Sequence, residues 1–307
     1  MREEFYFTSS CGNTEIRAIA WKPTGEIKAI LQISHGMAEH IERYDEFANF
    51  LCNHGYLVVG HDHLGHGKSV TSAKHYGYFS KKQGNHYLIE DMHLLRERVT
   101  EEHPFLPYFI LGHSMGSTLL RQYIWVHGEG LKGVIFSGIV APEHSATLRV
   151  AKFLCRFIGT FKGSHHRSKF LDGLVFGKFD RMMGDSKVTG SWVTRDAKKL
   201  EEYTHDDLCG FVFTTNGYAV LFDGLLCLNH KENASSLPRH LPMLIVSGSE
   251  DPVGNFEPGI KKIHESFVEK GVTNLTLLLY PEARHEVLNE VNREEVYQNI
   301  EKWIAGL

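Results

Sequence analysis

The chain of 307 residues has little cysteine and no long hydrophobic run. Its cysteines are odd in number, scattered and without a C-x-x-C pair: Cys11, Cys52, Cys155, Cys209 and Cys227. This pattern argues against a disulfide framework or a zinc site and favours a reducing compartment. No stretch approaches the roughly 20 apolar residues of a membrane-spanning helix. Because residues 1–14 also lack the features of a secretory signal, we expect a cytoplasmic protein, with peripheral membrane contact left open.

Neither sign of charge dominates the sequence. The 33 Lys and Arg and 37 Asp and Glu give a formal net charge of −4, which provides no overall field for gathering nucleic acid. With 42% hydrophobic and 23% charged residues, the composition is that of an ordinary globular chain. The length slightly exceeds what one hydrophobic core usually supports, so we expect a large domain with an insertion or a second small domain. Twenty histidines are a marked excess.

Short apolar runs alternate with segments of helical period in both the first and the last part of the chain. The strand-length runs are 29–33, 56–60, 108–111, 133–136, 243–247 and 275–280. Such alternation predicts an α/β fold with a mostly parallel sheet covered on both faces. Residues 5–7 and 15–21 alternate at period two, as in an antiparallel edge hairpin. Residues 1–140 and 237–307 together form the predicted body. Residues 141–236 form an insertion in which apolar residues recur at helical spacing.

The most informative motif is Gly112-His113-Ser114-Met115-Gly116, a G-x-S-x-G sequence. An apolar strand precedes it and a helical pattern follows it. A sharp turn between strand and helix exposes the serine hydroxyl, and small residues two positions away on each side let the chain pass closely. The motif therefore predicts that Ser114 is a catalytic nucleophile.

A serine nucleophile needs a histidine base and a carboxylate that orients the histidine. In proteins with a G-x-S-x-G turn of this kind, the carboxylate comes after the serine in the sequence and the histidine comes last, each on a loop after a late strand. Asp251 follows the run 243–247, with neighbouring Glu250 as the alternative, and His285 follows the run 275–280. His264 is a weaker choice of base because it lies within a predicted helix.

The tetrahedral intermediate of acyl transfer also needs two hydrogen-bond donors for its oxyanion. The backbone N–H of Met115, at the start of the helix after the serine, is one predicted donor. The second is predicted to be the N–H of Met37, because Gly36 lets the backbone turn after the run 29–33.

Five ordered motifs closely resemble the monoacylglycerol lipase and lysophospholipase group of serine α/β-hydrolases. They are His35-Gly-Met-Ala-Glu-His40 with Arg43-Tyr44, Asp62-His-Leu-Gly-His-Gly-Lys-Ser69, Gly112-His-Ser-Met-Gly116, Gly248-Ser-Glu-Asp-Pro-Val253 and Arg284-His285. The resemblance covers about 1–140 and 237–307. It implies an eight-stranded α/β-hydrolase sheet, the triad and oxyanion hole named above, and a helical cap over the site. One departure is Met37, where the best-known mammalian members carry a small residue.

These features predict a serine hydrolase that cleaves carboxylic esters of medium or long acyl chains. A monoacylglycerol or lysophospholipid is the expected substrate, and no cofactor or nucleic acid is expected. Two alternatives remain open: a proline-type aminopeptidase, for which the acids Glu201, Glu202, Asp206 and Asp207 could bind an amine, and a ligand-binding sensor that keeps the hydrolase fold.

Several other residues have two interpretations. His61-x-His63 could suggest a metal, but the resemblance assigns this loop a packing role, so no metal site is predicted. Glu39 and Arg43 could pair with each other or contact a substrate head group.

The insertion contains a basic amphipathic segment between residues 144 and 171. Six basic residues and no acid accompany an apolar stripe at helical spacing that includes Phe157. This segment could rest on anionic lipid or simply pack on the body. Phe157, Phe211 and Phe222 are candidate contacts for the acyl chain.

Overall fold

The computed structural model describes residues 1–184, 189–230 and 236–307. Eight strands form one sheet: β1 (Arg2–Thr8), β2 (Glu15–Trp21), β3 (Ala29–Ser34), β4 (Tyr56–His61), β5 (Tyr108–His113), β6 (Gly133–Ser137), β7 (Met243–Gly248) and β8 (Leu275–Tyr280). Their order across the sheet is β1-β2-β4-β3-β5-β6-β7-β8. The six strands β3 to β8 are parallel to their neighbours within this set, whereas β1 and β2 are an antiparallel hairpin at one edge. The predicted α/β-hydrolase fold is therefore confirmed.

Ten α-helices lie in the described part of the chain. They are α1 (Asp45–Asn53), α2 (Gly84–Glu102), α3 (Met115–His127), α4 (Ser145–Lys162), α5 (Lys169–Val175), α6 (Phe179–Met182), α7 (Ala197–His205), α8 (Thr215–Leu228), α9 (Phe256–Glu269) and α10 (Arg293–Ala305). None of these helices is both long enough and apolar enough to cross a membrane.

The sheet has a hydrophobic core on each face. Neighbouring residues of one strand point to opposite sides, so Ile30 joins the core that includes α2, α3 and α9, while Leu31 joins the core that includes α1 and α10. Because both faces are covered, β3 to β7 are buried along their whole length. This explains why these strands are continuous apolar runs in the sequence.

Between β6 and β7, the residues that the structure describes form the helices α4 to α8. Leu148 and Cys155 are buried on one side of α4, which packs against α8. The opposite side leaves Val150, Phe153, Phe157 and Phe161 at 52 to 74% exposure. The apolar stripe of α4 thus has one flank that packs against α8 and one flank that is exposed.

Candidate active site

Ser114 lies at the tight turn between β5 and α3. Its backbone has φ of 52°, a left-handed conformation that is costly for a residue with a side chain. Its N–H donates to the carbonyl oxygen of Ser137 at 3.0 Å, which fixes the turn to the neighbouring strand. A Cβ on Gly112 would collide with the backbone of Gly116, and one on Gly116 would collide with that of Ser34. The two motif glycines are therefore required by close backbone approach.

Asp251 and His285 meet in a buried pair. His285 Nδ1 lies 2.9 Å from Asp251 Oδ2, and both residues are at most 3% exposed. The second carboxylate oxygen of Asp251 accepts from the N–H of Val253 at 2.9 Å. Glu250, the alternative carboxylate, is exposed. The arrangement allows Asp251 to hold His285 with a proton on Nδ1, leaving Nε2 free to act as a base.

The Asp251 carboxylate also controls the basicity of His285. Burial by itself would lower the pKa of the imidazole, but the charge and hydrogen bond of Asp251 outweigh burial and raise this pKa above its ordinary value of 6.5. His285 Nε2 is buried and has no hydrogen-bond partner among the described residues, so the Ser114–His285 hydrogen bond is not formed in this structure. Such bonds often tighten only when substrate binds.

A second loop, after β3, brings the predicted oxyanion amide beside Ser114. A Cβ on Gly36 would lie 3.2 Å from Ser114 Cβ, which shows how closely this loop approaches the serine. The Gly36 N–H donates to the Glu39 carboxylate and the Ala38 N–H donates to His66 Nε2 at 3.1 Å. Between them, the N–H of Met37 has no partner among the described residues. This amide is therefore available to an oxyanion beside Ser114.

Buried histidines form the support of this loop. His66 accepts from Ala38 through Nε2 and donates from Nδ1 to the carbonyl oxygen of Leu64 at 2.9 Å. His35 likewise donates to the Gly36 carbonyl at 2.8 Å and accepts from the N–H of His63 at 3.0 Å. Burial lowers the pKa of His66 to about 4. These histidines are thus neutral at pH 7, and each can accept one amide and donate to one carbonyl.

His61 belongs to the same buried cluster. Its ring lies 4.7 Å from that of His63, and neither ring nitrogen has a partner among the described residues. Burial lowers the pKa of His61 to about 3. His61 and His63, whose spacing could suggest a metal ligand pair, are therefore packed side by side as uncharged rings.

Arg43 links the loop after β3 to the loop that carries His285. Its guanidinium binds Glu286 with two contacts of 2.6 Å and Glu39 with one of 2.6 Å. Tyr44 donates to Glu39 at 2.9 Å, and the ring of Tyr203 lies 4.9 Å from the guanidinium. Glu39 and Arg43 therefore pair with each other. This is the first of the two interpretations given for them, the other being contact with a substrate head group.

A cavity of about 690 Å³ opens at Ser114. Met37 and Met115 line it beside the serine, and its walls are largely apolar, including Leu154, Phe176, Trp192 and Phe222. Glu143 and Lys178 are the charged residues in the described part of its lining, and they form an ion pair of 3.2 Å. The cavity can therefore hold a hydrocarbon chain next to the candidate nucleophile.

The three predicted phenylalanine contacts have different positions. Phe222 lines the cavity, whereas Phe157 is 52% exposed on the outer flank of α4 and is not among the lining residues. Phe211 is also absent from the lining and packs between Tyr76, Phe213 and His66. Helical spacing identified apolar residues in the insertion but could not distinguish the inner surface from the outer one.

No pattern in the sequence pointed to Trp192 and Val193 as neighbours of the loop that carries His285. Trp192 lines the cavity and its ring lies 5.2 Å from the His285 ring. The N–H of His285 donates to the Trp192 carbonyl at 3.3 Å, and the N–H of Glu286 donates to the Val193 carbonyl at 2.8 Å. The insertion is thus bonded directly to the loop of the candidate base.

The fold is that of the α/β-hydrolase class. The family model described as serine aminopeptidase S33 (Hydrolase_4) matches residues 25–292, and the chain belongs to this family. Mouse monoglyceride lipase is 29% identical over 89% of this chain and 84% of its own length. The monoacylglycerol lipase of Mycolicibacterium smegmatis is 26% identical over 99% of this chain and 98% of its own length.

Solved structures show the same relationship. A thermostable carboxyl esterase from Bacillus coagulans in complex with glycerol superposes with a TM-score of 0.90 at 26% identity, covering 99% of this chain and 98% of that one. A lipase in its open form gives a TM-score of 0.86 at 27% identity with the same coverage. The predicted resemblance to the monoacylglycerol lipase group is therefore confirmed.

Proposed function

We propose that the protein is a serine hydrolase that cleaves carboxylic esters of medium or long acyl chains, with a monoacylglycerol or lysophospholipid as substrate. The observation that carries this proposal is the strained Ser114 at the mouth of a 690 Å³ apolar cavity, with the buried Asp251–His285 pair on a neighbouring loop. The relatives named as monoglyceride lipases and esterases support the same substrate class.

In the proposed reaction, Ser114 Oγ attacks the ester carbonyl carbon as His285 Nε2 takes the hydroxyl proton. The N–H groups of Met37 and Met115 bind the oxyanion, each contributing about 3 kcal/mol to transition-state stabilisation. The His285 imidazolium, stabilised by Asp251, then gives its proton to the leaving alcohol oxygen. Water repeats these steps on the acyl-enzyme, releases the fatty acid and restores Ser114.

We propose that residues 141–236 act as a cap that shapes the acyl site, with 1–140 and 237–307 as the catalytic body. Phe222 on α8 and Trp192 both line the cavity from this region. The hydrogen bonds from His285 and Glu286 to the segment 192–193 connect the cap to the catalytic loop. Chain-length preference should therefore depend on the cap.

The cavity chemistry disfavours the aminopeptidase alternative. Recognition of a substrate amine needs an unpaired carboxylate, whereas Glu143, the acid in the described part of the lining, is paired with Lys178. Glu201, Glu202 and Asp207 are exposed, and Asp206 contacts His40. Among the described residues, no free acid thus faces the candidate nucleophile.

We further propose that the outer flank of α4 rests on an anionic lipid surface. Phe153, Phe157 and Phe161 are exposed there, and Arg149 and Arg156 are exposed on the same helix. Apolar side chains flanked by basic ones fit the acyl and headgroup layers of such a surface. A substrate would then enter the cavity from the membrane.

A single comparison tests the proposed activity. Turnover is measured on 4-nitrophenyl esters of two to sixteen carbons, on monoacylglycerols, on lysophosphatidylcholine and on a prolyl arylamide. We expect turnover of the esters with a preference for medium or long chains, and none above background for the arylamide. Preferential cleavage of the arylamide would establish the aminopeptidase alternative, and no turnover of any substrate would support the sensor.

A further inference from the structure

Three side chains with metal-binding chemistry meet where the insertion contacts the loop after β3. His40 lies on this loop, and Asp206 and Cys209 follow α7. His40 Nε2 is 2.7 Å from Asp206 Oδ2, and the three ligand atoms all lie within 4.8 Å of one another. The N–H of Gly210 donates to the Ala38 carbonyl at 2.9 Å, which holds the two segments together.

We propose that His40, Asp206 and Cys209 form a binding site for a divalent transition metal of the zinc type. Imidazole nitrogen, carboxylate oxygen and thiolate sulfur are the three donor types that Zn²⁺ uses in proteins. His40 and Cys209 are buried at 5% and 8% exposure, while the Asp206 side chain is 32% exposed. The partly exposed Asp206 provides an entry path, and a water molecule would complete the four-coordinate site.

The surroundings of His40 provide an independent argument. Its Nδ1 is buried and has no hydrogen-bond partner among the described residues, and the nearest carboxylate oxygen, Glu42 Oε2, is 4.0 Å away. A metal at Nε2 places the ring proton on Nδ1, where it faces Glu42. Metal-bound histidines typically donate their second ring N–H to a carboxylate in this way. Metal binding would therefore give this unpartnered nitrogen a function.

Asp206 supplies a negative charge at the site, and the positive charge of the nearby Arg43 is neutralised by Glu39 and Glu286. On the other side of His40, Glu42 Oε1 binds Arg2, Arg17 and Lys68, whereas Glu42 Oε2 is the oxygen that faces His40 Nδ1. Cys209 would bind as the thiolate, so binding releases one proton from its sulfur to solvent. The sequence alone predicts no such site, because His40 and Asp206 are 166 positions apart.

The structural consequence is a metal link between the cap and the loop that carries Met37. His40 lies three positions after Met37, and Cys209 precedes the Gly210 amide that already binds Ala38. Since the ion would bind only the folded arrangement, it should stabilise the protein. At a concentration of about 100 times its dissociation constant, Zn²⁺ should raise the Tm by about 5 °C.

The test uses the purified full-length protein after treatment with a chelator. Titration with Co²⁺ should produce a thiolate-to-cobalt charge-transfer band that saturates at one equivalent, and Zn²⁺ should displace it. Cys209→Ser should abolish the band and weaken Zn²⁺ binding at least tenfold, whereas the control Cys52→Ser should retain both. His40→Gln should weaken binding to a similar extent.

If the unmodified protein gives no thiolate-to-cobalt charge-transfer band, the proposal is overturned whatever the variants show. Equal Zn²⁺ affinity in Cys209→Ser would also overturn it, because the metal would then be held by others among the twenty histidines. Metal binding here is independent of the proposed ester hydrolysis, and its failure would leave that activity untouched.

Discussion

The buried histidines predict a specific loss of stability in acid, and His66 is the best residue with which to measure it. Its ring lies 5.3 to 5.7 Å from those of Phe79, Phe211 and Phe213. Burial is the main cause of its lowered pKa, about 4 in the folded protein against 6.5 for an ordinary histidine. Because the unfolded chain binds the proton more tightly, acid favours unfolding.

The size of the effect follows from these two pKa values. The stability that neutral His66 contributes is present above pH 6.5 and is lost as the pH falls toward 4. Linkage gives a loss of about 2 kcal/mol between pH 7 and pH 4.5 from this one side chain. Protonation would also remove the acceptor for the Ala38 N–H, and so loosen the loop that carries Met37.

The assay is urea unfolding of the wild type and of His66→Gln at pH 7 and pH 4.5. The variant will be less stable at both pH values, so the informative quantity is the difference between them. This difference should be about 2 kcal/mol smaller in His66→Gln than in the wild type. His54→Gln, at the exposed end of α1, is the control and should keep the wild-type difference. An unchanged difference in His66→Gln would refute the reasoning.

Three further predictions concern the site and the cap. Asp251→Asn should lower kcat about 10⁴-fold. It should also move the acid limb of the pH profile of kcat/KM to lower pH, because the carboxylate that raises the pKa of His285 is lost. An acid limb at the same pH as in the wild type would contradict this. Arg43→Met leaves two buried carboxylates unpaired and should destabilise the protein by about 3–5 kcal/mol in urea unfolding, with Arg43→Lys intermediate. Phe153→Ser with Phe157→Ser should reduce sedimentation with phosphatidylserine vesicles while turnover of a soluble short-chain ester stays unchanged.

Most of the fold could be predicted because the two covered faces of the sheet leave continuous apolar runs in the sequence. The run 29–33 became β3 and the run 275–280 became β8, within a residue of the predicted bounds. The alternation of period two in the opening residues has a different origin, because β1 at the edge of the sheet is half-buried on one face and exposed on the other. Local pattern therefore determined the strands directly.

The positions of Ser114, Asp251 and His285 also followed from local signals. Ser114 directly follows β5, while Asp251 and His285 lie in the loops after β7 and β8, and the ends of parallel strands meet at one edge of the sheet. What the sequence could not supply were pairings set by the tertiary fold. Arg43 and Glu286 are 243 positions apart and form a bidentate pair.

The helix α4 shows the other limit of sequence reasoning. Its apolar residues predict an amphipathic helix, but they cover more than one flank. Cys155 faces α8, while Phe153 and Phe157 face outward. Which flank packs depends on a partner helix that lies about 60 positions later in the chain, so spacing within α4 could not decide it.

The most direct test of the central claim is the site of covalent labelling by a fluorophosphonate, which reacts with activated serines. After reaction with the intact protein, mass spectrometry of the peptides should show one phosphonate, on Ser114, and Ser114→Ala should remain unlabelled. Asp251→Asn should be labelled more slowly because His285 is then less well oriented. Labelling at another serine, or no labelling of a folded protein, would contradict the proposed nucleophile.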